Sequence, residues 1–217
     1  MSYSETSESV RGFVLSHPVL KEALLLGITN HSALARMIER KTKCGSQGAI
    51  KMALLRISED LSEQRALIEE GVRKVIGSTV LEMSSDLCVT TVRKSAMAVV
   101  LPSVIKRMEI SRFFQLTQGI NTFTFVFPEE GRKEILKLFA GNVVELIEGQ
   151  SAVVLISPEE ILSTPGVVEC ITSELAFENI NVTQVISCHK DTILVLDKRD
   201  AKRAYEVVES LIERMRL

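Results

Sequence analysis

The sequence predicts an α+β protein in which a helical N-terminal third precedes two copies of one βαββαβ unit. Three observations carry this. Up to about residue 76 the apolar side chains recur at helical spacing. Near Gly77-Ser78 the pattern changes to short runs of β-formers. Beyond that point, residues 78–150 and residues 151–217 show the same order of strand, helix, strand, strand and helix. The domains expected are therefore 1–77, 78–150 and 151–217.

The bulk numbers agree with packed layers. The chain has 217 residues, 46% of them hydrophobic but only 5% aromatic, and no Trp. Its net charge of −2 excludes a molecule that binds polyanions over its whole surface, so any basic site must be local. The four cysteines (Cys44, Cys88, Cys170 and Cys188) form no CxxC pair and fit neither a zinc site nor a disulfide framework. They read as buried free thiols. The polar, acidic start Met1-Ser2-Tyr3-Ser4-Glu5 is not a signal peptide. No apolar run approaches the roughly 20 residues that span a bilayer, and a soluble, cytoplasmic protein is expected.

In the N-terminal third, Val10, Phe13 and Val14 mark a helix over residues 7–16. Pro18 suits the first turn of the next helix, where its missing N–H costs nothing. That helix ends at Gly27, a left-handed cap. Asn30 is placed to cap a third helix over 31–40, whose apolar face is Leu34, Ala35 and Ile38. After the turn Lys41-Thr42-Lys43-Cys44-Gly45, Ser46 can cap a long helix carrying Ile50, Ala53, Leu54 and Ile57. That helix, or a second one after a break, continues through Leu61, Ile68, Val72 and Val75.

Two helices joined by a short Gly-containing turn have the layout of a helix-turn-helix. Between Asn30 and Arg56 stand Arg36, Arg40, Lys41, Lys43, Lys51 and Arg56 against a single acid, Glu39. In this motif the start of the second helix meets base edges, and the first helix and turn meet phosphate. Ser46, Gln47 and Lys51 are thus the expected base-facing residues, and Arg36, Arg40 and Lys43 the phosphate-facing ones. His17 and His31 stand alone and suit surface or cap positions.

In the middle segment, runs at 79–83 and 87–92 flank Ser84-Ser85-Asp86, which reads as a turn between two strands. Residues 95–108 form a helix in which Pro102 argues for a break or kink. A strand is expected over 110–116, and Thr117-Gln118-Gly119 turns the chain. Phe123, Phe125 and Phe127 then alternate with Thr122, Thr124 and Val126, a period of two. Pro128-Glu129-Glu130 opens a helix with acids at its positive end, running to Phe139 and stopping at Gly141. A strand over 142–147 follows, and Glu148-Gly149-Gln150 joins it to the next.

The C-terminal segment carries its chemistry in Ser163-Thr164-Pro165-Gly166-Val167, between a strand over 152–156 and a helix. Pro165 is tolerated at a first turn, Gly166 permits close approach, and Ser163 or Thr164 can cap the helix. Free N–H groups at a helix start favour an anion such as an amino-acid carboxylate.

This segment resembles an ACT domain, specifically the tandem ACT pair at the regulatory end of aspartokinases. The resemblance rests on the strand over 152–156, on Ser163-Thr164-Pro165-Gly166-Val167, and on Asn179-Ile180-Asn181-Val182 leading into the second strand. The strand over 193–196, followed by Asp200-Ala201-Lys202-Arg203-Ala204, completes it. The middle segment is similar to the preceding module. Residues 86–94 stand for its first strand, Glu109-Ile110-Ser111 for the family's Gly-Ile-Asn, and 122–128 for its third strand.

The resemblance covers about residues 79–217 and implies two ferredoxin-like modules, a small-molecule effector, and pairing of modules in a homodimer or higher oligomer. The ligand site implied is Ser163, Thr164, Pro165, Gly166 and Val167, with Asn181 meeting the ligand's polar end. The first module has Val92-Arg93-Lys94-Ser95-Ala96 in place of that loop and is expected to have lost its ligand chemistry. Nothing upstream resembles the kinase domain. The arrangement is similar to regulators of amino-acid metabolism in which a small helical domain precedes ACT modules.

No Gly-rich phosphate loop, nucleophile elbow or metal-binding cluster is present in the sequence, so neither catalytic residues nor cofactors are expected. His189 and Asp191 share one face of an extended strand but lack a third partner. The expected function is a non-enzymatic, amino-acid-responsive regulator that binds duplex DNA through its N-terminal helices. The alternative is a regulatory protein that docks on a metabolic enzyme without binding DNA.

Overall fold

A computed structural model describes residues 3–217, with side chains for all of these except 3, 4, 63 and 64. The first two residues of the polar start lie outside the described residues. The chain forms two compact units, Met1–Gly71 and Val72–Leu217.

The first unit is helical. It contains α1 (Tyr3–Leu15), α2 (Pro18–Leu25), α3 (His31–Thr42) and the greater part of α4 (Gln47–Gly77). The expected helical spacings become its core, with Val10, Val14, Leu24, Leu34, Ala35, Ile38, Ile50, Ala53, Leu54 and Ile57 all buried. Asn30 caps α3 by accepting from the Ala33 N–H at 3.0 Å. Gly27 takes φ 67°, the left-handed value a cap after α2 requires. The long helix has no break before Gly77, although Ile68 on it is 43% exposed.

The second unit is one antiparallel sheet with helices packed on it. The strands are β1 (Val80–Arg93), β2 (Gln115–Gln118), β3 (Thr122–Pro128), β4 (Val143–Ile156), β5 (Val182–Cys188) and β6 (Asp191–Asp197), in the order β2-β3-β1-β4-β6-β5. The helices are α5 (Met97–Ile110), α6 (Arg132–Leu138), α7 (Val167–Phe177) and α8 (Ala201–Arg216).

Two expected connections are corrected. Ser84-Ser85-Asp86 is not a turn between paired strands: β1 runs straight through it as a bulge, with the register shifting between Ser84 and Leu87. Asp86 sits there at φ 58°, a left-handed value that Asp tolerates better than most residues. Glu148-Gly149-Gln150 likewise lies inside β4, with Gly149 at φ 63°. In both places turn-forming residues serve a bulge, because the partner strand continues past them.

The consequence is an exchange of strands. Val80 to Ser84 pair with Ile156 to Ala152, beside β6 and β5. Val89 to Val92 pair with Ile147 to Val143, beside β3 and β2. The start of β1 thus completes the half of the sheet that holds β5 and β6.

Other differences are local. The strand expected over 110–116 is corrected to β2, because α5 extends through Ile110. Pro102 lies within α5 without ending it; its side chain is exposed, so water can serve the carbonyl it leaves free. Glu129–Gly131 forms a 3-10 turn before α6 begins.

Alternation along the strands separates two apolar faces. Cys88, Val92, Phe125 and Phe127 pack with α5 and α6. Val153, Leu155, Leu194 and Leu196 pack with α7 and α8, joined by Val72, Val75 and Ile76. The opposite face gathers Leu87, Val89, Val126, Ala152, Ile186, Ile193 and Val195 into one cluster. Val126 on β3 and Ile186 on β5 meet there although three strands lie between them in the sheet order, so the sheet is curled. The two outermost strands approach at Cys188 Sγ and Gln115 Oε1, 3.5 Å apart.

Candidate functional site

The Thr-Pro-Gly loop lies between β4 and α7. A 3-10 turn over Glu159–Leu162 opens it. Ser163 Oγ and Thr164 Oγ1 both donate to the Glu160 carbonyl, at 3.3 and 2.8 Å. This corrects the expectation that Ser163 or Thr164 caps the helix, since their hydroxyls are turned back into the preceding turn. The N-cap is Gly166 itself, at φ 92°, and no side chain caps α7. Pro165 precedes the N-cap and is exposed. Val167, the first helical residue, is buried in the core under α7 and α8. Asn181 is exposed immediately before β5.

Thus Ser163, Thr164, Pro165 and Gly166 form one surface loop, and Val167 anchors it. The carboxyl of Glu160 is held below the ordinary carboxylate range by its own backbone N–H and by Lys74, whose Nζ lies 3.3 Å away.

In the N-terminal unit Arg36, Arg40, Lys43, Ser46, Gln47 and Lys51 are all exposed. Lys43 is the left-handed C-cap of α3, at φ 53°. Ser46 Oγ accepts from the Ala49 N–H at 3.4 Å, as a cap of α4 does. Gln47 Nε2 donates to Glu39 Oε2 at 2.7 Å, which ties the start of α4 to α3. Arg40 Nε donates to the Arg36 carbonyl at 3.3 Å. His17 stacks on Phe13 with ring centroids 4.3 Å apart.

Sequence reasoning did not find a cleft of about 550 Å³ in the half of the sheet under α5 and α6. Its lining comes from the β1 bulge, the end of α5, the segment before β2, and the β3–α6 connection. These are far apart in sequence, so no spacing signal could have assembled them.

Among the described residues no group of three His, Cys, Asp or Glu is placed to hold a metal ion. His189 falls at φ 57° in the β5–β6 hairpin, which corrects the extended geometry expected for it beside Asp191. The cysteines are free. Cys44 and Cys88 are buried and Cys170 is half-buried, but Cys188 is exposed, contrary to the expected burial.

An ACT domain family model matches residues 145–210, a span that includes the loop and most of α8. Comparison with curated proteins gives no match. Solved structures share the fold over about 60% of this chain. Aspartate kinase from Clostridium acetobutylicum, at 14% identity and TM-score 0.50, is matched over 60% of this chain and 33% of its own. This chain thus spans about a third of that enzyme's length. A structure of aspartokinase alpha and beta subunits, at 17% identity and TM-score 0.50, is matched over 60% of this chain and 95% of its own. Aspartokinase III of E. coli, in complex with aspartate and ADP, gives 14% identity and TM-score 0.50 over 60% and 32%. The fold and the family match define a protein with an ACT domain over residues 145–210.

Proposed function

We propose that this chain is a non-enzymatic regulator of amino-acid metabolism, with two ferredoxin-like, ACT-like modules that sense a small effector. The family match over residues 145–210 carries the reading, because its span contains the Ser163-Thr164-Pro165-Gly166-Val167 loop. The effector's carboxylate meets the uncapped start of α7 at Ser163, Thr164, Pro165 and Gly166, and Asn181 meets its polar end. Val167 holds the loop to the core. An amino acid is the effector class best suited to this chemistry, and modules pair between copies of the chain in a homodimer or higher oligomer. Effector binding acts by favouring one arrangement of modules over another.

The output is duplex DNA, bound by the N-terminal helices. Exposed Arg36, Arg40 and Lys43 serve phosphate, and Ser46, Gln47 and Lys51 face base edges. A thermal-shift screen of the twenty amino acids on the full chain tests the sensor. An effector bound at this loop raises the melting temperature with concentration, and Gly166→Val removes that rise. If no amino acid gives a rise that depends on Gly166, the reading ends.

Salt dependence tests the output. Retention on duplex DNA should fall steeply as salt rises, and Lys51→Glu should weaken it. If DNA is not retained even at low salt, the helical unit is a protein interface that docks on a metabolic enzyme. The exposure of Val19, Leu26 and Ile28, at 81%, 54% and 74%, suits that second reading.

A further inference from the structure

The cleft beneath α5 and α6 combines three chemistries in one space. Its cations are Arg107 and Arg112. Arg107 is already paired with Glu134, whereas Arg112 is exposed and has no ion-pair partner among the described residues. Its apolar wall is Phe113, Phe114, Phe127 and Ile135. Phe127 and Ile135 are fully buried at its base, and Phe113 and Phe114 are half-buried at its side. The remaining edge is the β1 bulge, at Ser84 and Ser85. A volume of about 550 Å³ lies within the range of small-molecule sites, and the lining mixes apolar rings with polar and charged groups.

We propose that this cleft binds a small carboxylate with an apolar body, of the size of a branched or aromatic amino acid or its 2-oxo acid. Arg112 takes the carboxylate, through the two-pronged geometry a guanidinium offers. The phenyl rings and Ile135 take the body. Glu130, also on the lining, discriminates the two sources, because it complements an ammonium group and opposes a keto acid's second dipole.

The site is separate from the Thr-Pro-Gly loop, no residue of which lines the cleft. It gives the first half of the sheet a ligand chemistry that its Val92-Arg93-Lys94-Ser95-Ala96 connection lacks. It also touches the point where β1 passes from one half of the sheet to the other, so occupancy bears on both halves. The regulatory meaning of the site rests on the sensing reading above; its existence does not.

The test uses the full chain with L-leucine, L-phenylalanine and phenylpyruvate as probes at millimolar concentration, read by thermal shift and by titration calorimetry. The expected result is a concentration-dependent rise in melting temperature with at least one probe. Gly166→Val should retain it, and Arg112→Ala should weaken the affinity at least about tenfold. Arg112→Lys, which keeps the charge, should recover part of the loss. Glu130→Gln should weaken the amino acids and leave phenylpyruvate unchanged or tighter.

A rise retained in Arg112→Ala but lost in Gly166→Val overturns the cleft and leaves the loop reading standing. A rise lost in both overturns the cleft as an independent site. No rise with any of the three probes overturns it too, while a polar amino acid that still shifts the protein upholds the loop. Because Arg112 is exposed, its replacement is not expected to disturb folding; the melting temperature of the ligand-free variant checks this.

Discussion

Lys198 Nζ lies 2.5 Å from Asp86 Oδ1, and the backbone N–H of Lys198 donates to the Gly149 carbonyl at 2.9 Å. One residue after β6 therefore touches both left-handed bulge residues, Asp86 on β1 and Gly149 on β4. These bulges are where each long strand passes between the two halves of the sheet.

The charge contact itself contributes little. Both side chains are more than half exposed, so solvent screens the pair. The backbone at Asp86 matters more. Asp86→Gly relieves the left-handed strain while losing the pair, so the two effects offset to within about 1 kcal/mol. Asp86→Val, with a β-branched side chain at φ 58°, should cost roughly 2 kcal/mol. Urea denaturation of the two variants compares them directly; equal losses would show that the ion pair, not the backbone, governs the bulge.

Gly166 makes a similar demand at the candidate loop. Its φ of 92° lies where side chains are strained, so Gly166→Ala should cost roughly 1–2 kcal/mol even without ligand. Thr164→Val removes the donor to the Glu160 carbonyl and should cost about 1 kcal/mol. Chemical denaturation measures both, and an unchanged midpoint for Gly166→Ala would mean that the loop relaxes freely.

Thiol chemistry should be ordered by burial. Burial is the main cause that pushes the Cys88 thiol up, and the same holds for Cys170. Cys44 and Cys88 are buried, whereas Cys188 is exposed at the end of β5. Titration of the folded protein with a disulfide reagent near pH 8 should therefore show one fast thiol, removed by Cys188→Ser, with Cys44 and Cys88 reacting only on unfolding.

Acid stability has a specific contributor at the end of β6. The Asp197 carboxyl is lowered to about 2, by the Arg199 side chain first and then by its backbone N–H. A carboxylate depressed in the folded state stabilises above its unfolded pKa, and that contribution is lost as pH falls through the folded value. Between about pH 4 and pH 2 the melting temperature of the native chain should decline, and Asp197→Asn should shallow that decline. Identical slopes for the two proteins would remove Asp197 from the account. The side chain is about a third exposed and partly screened by water, so the effect is a change of slope and not a collapse.

The core offers the largest effect. Phe125 is fully buried, with its ring 5.1 Å from Phe139 and 6.0 Å from Phe114. Phe125→Ala should destabilise the second unit by about 3–5 kcal/mol. Thermal unfolding followed by circular dichroism tests this, and a loss below about 1 kcal/mol would show that the cluster collapses into the space.

Individual elements were legible because their signals are local. The Asn30 cap, the apolar face of α3, the period of two through Phe123, Phe125 and Phe127, and the glycine at Gly27 each act within a few residues. The loop 163–167 was legible as a loop, but the direction of its hydroxyls was not. As a cap, the Thr164 hydroxyl would accept from a helix N–H; instead the 3-10 turn at Glu159–Leu162 brings the Glu160 carbonyl within its reach, and the hydroxyl donates to it.

Ser84-Ser85-Asp86 was misread for a related reason. A left-handed Asp serves a hairpin and a bulge equally well, and only the partner strand distinguishes them. By itself, then, the sequence determined the helical third and the alternation of strand-forming and helical segments after it, whereas the left-handed backbone that calls for glycine at Gly166 is seen only in the structure. The tertiary structure decided which strand closes which half of the sheet, how β1 and β4 run unbroken through their turn-like residues, and which distant side chains share the cleft under α5. Those outcomes depend on pairing and burial between segments tens of residues apart, and such long-range terms leave no trace in local spacing.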